Sequence, residues 1–136
     1  MLLIFNNTDW ANIGDAAGLQ NSAAAGSLFV GLSTGTLSDT STQVTTQAAY
    51  TNYTRVAVAR SGAGWTCATG SASNAAAVTF PLSGSGPETE TDFNVGLITG
   101  VGAGDILYWG VLTASLVVNN GVTPSFAIGA LVCSLT

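Results

Sequence analysis

The sequence predicts an all-β chain, an antiparallel β-sandwich of jelly-roll type preceded by a short N-terminal helical segment. Three observations carry that prediction. Apolar and β-branched residues come in short runs separated by Gly, Ser, Asn and Pro. No long stretch repeats its apolar residues at helical spacing. The run Tyr50-Thr-Asn-Tyr-Thr-Arg-Val-Ala-Val-Ala-Arg-Ser61 is aromatic and β-branched and closes on Gly62-Ala-Gly64. It reads as a central strand, with Val56 and Val58 on one face and Arg55, Ala57 and Ala59 on the other.

The elements follow in order. Residues 1–26 form an arm, and residues 27–136 the sandwich, within a single domain. In the arm, Asn7-Thr-Asp9 offers helix caps, and Trp10 and Ile13 follow at helical spacing. Gly14 and Gly18 limit the helix to one or two turns, and Trp10 is expected to plug one end of the core. Ser27-Leu-Phe-Val-Gly-Leu-Ser33 is the first strand. Residues 34–49 are rich in Thr, Ser and Gln without apolar rhythm. They read as a long loop or arm, ordered by a partner or simply mobile. After the Tyr50–Ser61 strand, Trp65-Thr-Cys67 is short and extended. Residues 70–74 turn, and Ala75–Phe80 extends until Pro81 stops it. Glu88–Ile98, Asp105–Leu112 and Ala114–Val118 are further strands. Asn119-Asn-Gly121 is a turn, since Asn-Gly accepts positive φ, and Ser125–Leu135 is the last strand. About eight strands at this spacing suit a sandwich or barrel.

Composition narrows the function. Of 136 residues 47% are hydrophobic, enough for a core, but only 7% are charged, against roughly 25% in ordinary soluble domains. The chain has two arginines, no lysine, no histidine and a net charge of −5. A surface of Ser, Thr, Asn and Gly costs little to strip of water, so much of it is expected to lie against other protein chains. Two arginines cannot release the counterions that nucleic-acid binding requires, and an anionic membrane is excluded for the same reason. Met1–Phe5 is apolar but too short for a signal peptide. No apolar run approaches the roughly 20 residues of a membrane span. A product made in the cytosol, which stays soluble or is assembled there, is expected.

Chemistry is equally constrained. Without histidine or lysine there is no base for a Ser or Cys nucleophile, so an enzyme is not expected. Cys67 and Cys133 stand apart from any metal-ligand spacing; two buried thiols, or a disulfide, remain open. Glu88, Glu90 and Asp92 alternate, so their carboxylates share a strand face. There they either hold a cation or, as the plainer reading, keep a solvated edge from sticking. No metal or other cofactor is expected. Gly100-Val-Gly-Ala-Gly-Asp105 lacks the Lys of a phosphate loop. Trp10, Trp65 and Trp109 would stack on sugars if exposed, or fill the core. The forked guanidinium groups of Arg55 and Arg60 should each meet a carboxylate or a set of carbonyls. Either both are internal, or one pins a loop while the other reaches a neighbouring subunit. Together with Thr36, Asp39 and Gln43 on the 34–49 segment they are the candidate interaction residues.

Five stretches resemble a family of small proteins of tailed bacteriophages and prophages. They are Trp10–Asp15, Gly26–Ser33, Tyr50–Ser61, Asn74–Pro81 and Asn120–Phe126. Members are labelled tail fibre proteins, and some relatives resemble head decoration, or cement, proteins. After Leu32 this chain departs from the pattern, with Ser33-Thr-Gly-Thr-Leu-Ser-Asp39 in place of a His and an Ala-Asp-Pro-Gly-like turn. The resemblance implies a structural virion protein without catalytic residues. Its first expected role is a decoration protein on the outer capsid surface, a dimer or trimer clamping subunits of the major capsid protein. The alternative is a tail or tail-fibre component that meets the host surface. The 1–9 stretch and the 34–49 segment are the expected contacts.

Overall fold

A computed structural model describes residues 26–68 and 71–134. Among these residues the fold is all-β, without helix, and the strand pairs Ser27–Ser33 with Glu88–Gly96, Trp65–Ala68 with Ser71–Asn74, Ser71–Asn74 with Val132–Ser134, and Glu88–Gly96 with Ile106–Val118 are antiparallel. The expected N-terminal helix, the Trp10 plug and the 1–9 contact stretch lie outside the described residues.

The strands are β1 (Ser27–Ser33), β2 (Val56–Ala59), β3 (Trp65–Ala68), β4 (Ser71–Asn74), β5 (Val78–Thr79), β6 (Glu88–Gly96), β7 (Ile106–Val118), β8 (Ser125–Phe126) and β9 (Val132–Ser134). They form a four-stranded sheet ordered β2-β1-β6-β7, a three-stranded sheet ordered β3-β4-β9, and a β5-β8 ribbon. β1 has the bounds its sequence predicts. Leu28, Val30 and Leu32 are fully buried on one face, as a period of two requires.

Several expectations are corrected. The Tyr50–Ser61 run is not a central strand: it contributes only β2, at the edge of its sheet. Its first half turns instead. Tyr53 N donates to Tyr50 O at 2.9 Å, and Asn52 takes a φ of 78°, a region Asn tolerates better than most residues. The two interior positions go to β1 and β6, the latter flanked by β1 and β7, so Glu88, Glu90 and Asp92 do not form a solvated edge. Residues 71–74 are a strand and not a turn. Ala72 sits between Cys67 on β3 and Cys133 on β9, so two flanking strands override a weak local preference. The predicted last strand is broken into β8 and β9 by a turn in which Ala130 N donates to Ala127 O and Gly129 has a φ of 74°. Residues 106–112 and 114–118 join as one strand, β7, which is irregular. Leu116 faces Glu90 and Val111 faces Asp92, so residues 112–115 stand against Thr91 alone.

The chain divides into two compact units. One holds Val58–Val78 with the stretches that end at Leu28 and begin at Phe126; the other holds Phe29–Ala57 and Thr79–Ser125. In the first, Trp65, Ala72, Val78, Leu131 and Cys133 are buried. Both cysteines are free thiols. They lie two strands apart, roughly 10 Å at normal strand spacing, beyond disulfide reach. Burial pushes the Cys133 thiol up to about 12. Asn74, also buried, ties this unit together. Its Nδ2 donates to Ala76 O and Ala127 O at 2.8 Å, and its Oδ1 accepts from Leu131 N at 2.9 Å. Asn74→Ala orphans the buried Leu131 N–H and removes the donor from two part-buried carbonyls, and is expected to cost about 2 kcal/mol, read as a lowered urea midpoint. An unchanged midpoint would contradict this reading.

The second unit packs Val30, Leu32, Leu37, Ala48, Tyr50, Tyr53, Phe80, Phe93, Val95 and Val118. Tyr53 stacks on Phe80 with centroids 6.2 Å apart and meets Tyr50 edge-on at 5.3 Å. Its hydroxyl accepts from Leu32 N at 2.9 Å, a partner a buried phenol requires. Burial pushes the Tyr53 phenol up to about 12 and the Tyr50 phenol higher still.

Candidate functional site

The 34–49 segment, expected as an arm ordered by a partner or mobile, is ordered by its own chain. Three anchors hold it. Ser33 and Gln47 form an isolated bridge, as do Thr42 and Asp105. Leu37 inserts its side chain, only 2% exposed, and its backbone N donates to Asp92 Oδ2 at 3.1 Å. At the far end Ala49 N donates to Glu88 Oε1 at 2.7 Å. Two carboxylates of β6, Glu88 and Asp92, four residues apart, therefore catch backbone N–H groups of one crossing segment, each a charge-assisted bond.

The third anchor is Arg55, only 3% exposed. Its Nη1 donates to Ile98 O at 3.0 Å and Gly102 O at 2.7 Å, and its Nη2 to Gln43 O at 2.8 Å and to Gln47 Oε1. The acceptors are three backbone carbonyls and one amide oxygen, so the planar fork serves where a lysine point charge would not. Burial draws its pKa down, though a guanidinium stays charged. Gln43, fully buried, completes the knot. Its backbone N donates to Gly104 O at 2.8 Å and its Oε1 accepts from Ile98 N at 2.9 Å. Gly96 and Gly104 are glycines because a Cβ at either would run into the Gln43 side chain.

Glu90 is the exception among the β6 acids. It is fully buried, and neither carboxyl oxygen has a geometric hydrogen-bond partner among the described residues. Burial, then the neighbouring Glu88, push its pKa up to about 8, so at neutral pH it is mostly the uncharged acid. Thr91 Oγ1 beside it is likewise buried without a partner, where β7 loops away.

The candidate interaction residues thus separate. Arg55, Arg60 and Gln43 are interior, and Arg60 is 1% exposed. Thr36 and Asp39 are on the surface. Asp39 rides a turn closed from both ends: Ser41 N donates to Ser38 O at 2.9 Å and Ser38 N to Ser41 Oγ at 3.0 Å. This turn and the start of β7 enclose a shallow, open pocket of about 180 Å³ lined by Ser38, Asp39, Ser41, Ile106, Leu107 and Trp109. Trp109 is partly exposed there, whereas Trp65 is 1% exposed. Trp109 belongs to a 13-residue strand without a charge, whose Val111 and Val117 are 66% and 49% exposed. Composition flagged exposed tryptophan as the mark of sugar contact but could not choose among the three, because burial is set by the sheet order.

The described residues contain no cluster of three or more His, Cys, Asp or Glu fit to hold a metal ion. The sequence pattern of a family described as Podophage GP4 fiber I protein gp80 matches residues 9–134. No curated protein matches the chain.

Proposed function

We propose a function for a chain that belongs to the Podophage GP4 fiber I protein gp80 family, a tailed-phage virion protein family labelled as fibre. It is a non-enzymatic fibre component that acts by packing against further copies of itself and other virion proteins. One observation carries this reading. Of the seven Asp, Glu and Arg residues described, Arg55, Arg60, Glu90 and Asp92 are buried, which leaves only Asp39, Glu88 and Asp105 at the surface. Such a surface is cheap to desolvate against other chains, and identical contacts repeated along a fibre add their effects. The charge-free, exposed part of β7 around Val111 and Val117 is where copies carrying like net charge can approach with least repulsion.

The family label leans toward the fibre. The decoration reading, with the chain on the outer capsid surface and bound to the major capsid protein, differs from it in copy number. In purified virions this chain is expected at low copy number relative to the major capsid protein, with antibody label at the tail. The purified protein is expected to elute as an oligomer. Stoichiometric amounts over the head would replace the fibre role by decoration. A stable monomer absent from virions would end both.

A further inference from the structure

We propose that Asn120 is a site of spontaneous deamidation, and that the fold sets its rate by holding the attacking atom, the Gly121 backbone nitrogen, on the Ser83 carbonyl. The inference goes beyond the virion role and does not depend on it.

The reaction needs only water. Gly121 N bonds to Asn120 Cγ and the Cγ–Nδ2 bond breaks. The Gly121 proton passes through solvent to the departing nitrogen, which leaves as ammonia. The five-membered imide so formed takes up water at one of its two carbonyls. Opening between Cγ and the nitrogen gives aspartate. Opening at the backbone carbonyl gives isoaspartate, with the main chain rerouted through the side chain. The sum is asparagine plus water going to carboxylate plus ammonium, with no change of oxidation state.

Sequence and geometry single out this position. Asn120-Gly121 is the one Asn-Gly pair in the chain, and a glycine, with no Cβ, leaves its nitrogen open to close approach. Both residues are exposed. A Cβ built on Gly121 would meet nothing beyond its chain neighbours within 4 Å, so the ring and the incoming water have room. Asn74 and Asn94, in contrast, are buried on strands, and the exposed Asn52 is followed by the buried Tyr53.

The same turn restrains the reaction. Val122 N donates to Asn119 O at 3.0 Å, and φ is positive at Gly121 (81°) but not at Asn120, which defines a type II turn. Its central N–H, that of Gly121, donates to Ser83 O at 2.8 Å, and Ser83 N donates back to Val122 O at 2.9 Å. The nitrogen that must attack is thus engaged as a donor. The segment carrying Ser83 is itself held. Gly84 N donates to Thr51 O at 3.0 Å and Thr51 N to Ser85 Oγ at 2.8 Å. The buried Ser83 Oγ donates to Ser85 O and accepts from Ser85 N. The folded chain therefore reacts through local opening of this turn. Isoaspartate lengthens the main chain, so the bonds that close the turn no longer fit together. Either product adds one negative charge, on a chain of net −5, just past the charge-free β7.

The test ages the purified full chain at mildly alkaline pH, in buffer and in urea. Asn120 is followed by peptide mass mapping and by enzymatic methylation of isoaspartate. In urea, conversion is expected first at Asn120. Gly121→Ala should slow it there, where strain at positive φ plays no part. In buffer the parent should convert at least about tenfold more slowly, since opening breaks several hydrogen bonds. The Gly121 amide should also be protected from hydrogen exchange, because both processes need the Ser83 bond broken. Ser83→Ala loosens the clamp without touching the reacting atoms. It should speed conversion in buffer by roughly threefold to tenfold and leave the urea rate unchanged. The proposal is overturned if Asn120 does not convert in urea, if another described asparagine converts ahead of it, or if the parent's rates in buffer and urea agree. It is equally overturned if Gly121 exchanges as in an unfolded chain, or if folded Ser83→Ala converts no faster than the parent. Should Ser83→Ala fail to fold, the parent's two rates and its Gly121 exchange decide alone.

Discussion

Arg55→Ala is expected to destabilise the protein by about 3–5 kcal/mol, the usual cost of removing one member of a buried charged hydrogen-bond set. The physical reason is the acceptor set. Ile98 O, Gly102 O, Gln43 O and Gln47 Oε1 all lose their donor at once; the Gln43 carbonyl is buried and the other three acceptors are part-buried, and a buried acceptor left unpaired costs about 1–3 kcal/mol. Arg55→Lys keeps the charge but cannot spread its donors over a planar fork. It is expected to recover only part of the loss. The damage should be local first: amide exchange is expected to rise at residues 98–104 and 43–47 before it rises along β1 and β6. Equilibrium urea unfolding of both variants, with exchange measured under native conditions, decides the matter. An Arg55→Ala midpoint within error of the parent would mean that the loops are held by something other than this side chain.

Glu90→Gln is expected to stabilise the protein at alkaline pH and to flatten its pH dependence. In the fold, burial and then Glu88 hold the Glu90 pKa at about 8, above the ordinary glutamic acid value of about 4.3. Between those two values the native state binds more protons than the unfolded state, so stability falls as pH rises. The contribution is fully present below the unfolded pKa, is lost as pH climbs through about 8, and is constant above that. The range is on the order of a few kcal/mol. Glu88 on the same strand and the phenols of Tyr50 and Tyr53 are the titratable neighbours. All three are uncharged or negative, so none relieves a Glu90 carboxylate. Glutamine keeps the shape and carries no charge. Melting temperatures of both proteins from about pH 5 to about pH 9 should diverge steadily, with the variant higher at the alkaline end. Parallel curves over that whole range would show that Glu90 does not titrate as described.

The two predictions concern residues that were visible in the sequence while their roles were not. Alternation puts Arg55 on the strand face opposite Val56 and Val58, with carbonyls or a carboxylate as its expected partners. The carbonyls are present, but Arg55 precedes β2, so alternation did not govern its direction. Glu88, Glu90 and Asp92 do alternate as read. The spacing could not say that β6 is interior, and hence that two of the three are buried. Gln43 had no distinguishing local context at all. It became central because Gly96 and Gly104, distant in the chain, leave room for its side chain. The pocket illustrates the same limit. Its turn and its tryptophan are about 70 residues apart, and only a fold brings such pieces together.

Composition and local pattern alone determined that the described residues are all-β, that the chain has no histidine or lysine and only two arginines, and that β1 runs from Ser27 to Ser33. Residue types are fixed whatever the packing, and the period of two in β1 agrees with the neighbours it meets. The tertiary structure decided which strands are interior and which lie at an edge, and with that where each charge resides. Burial depends on neighbours brought from far along the chain, and a carboxylate on an interior strand becomes an anchor or a neutral acid, whereas on an edge it would only have met water.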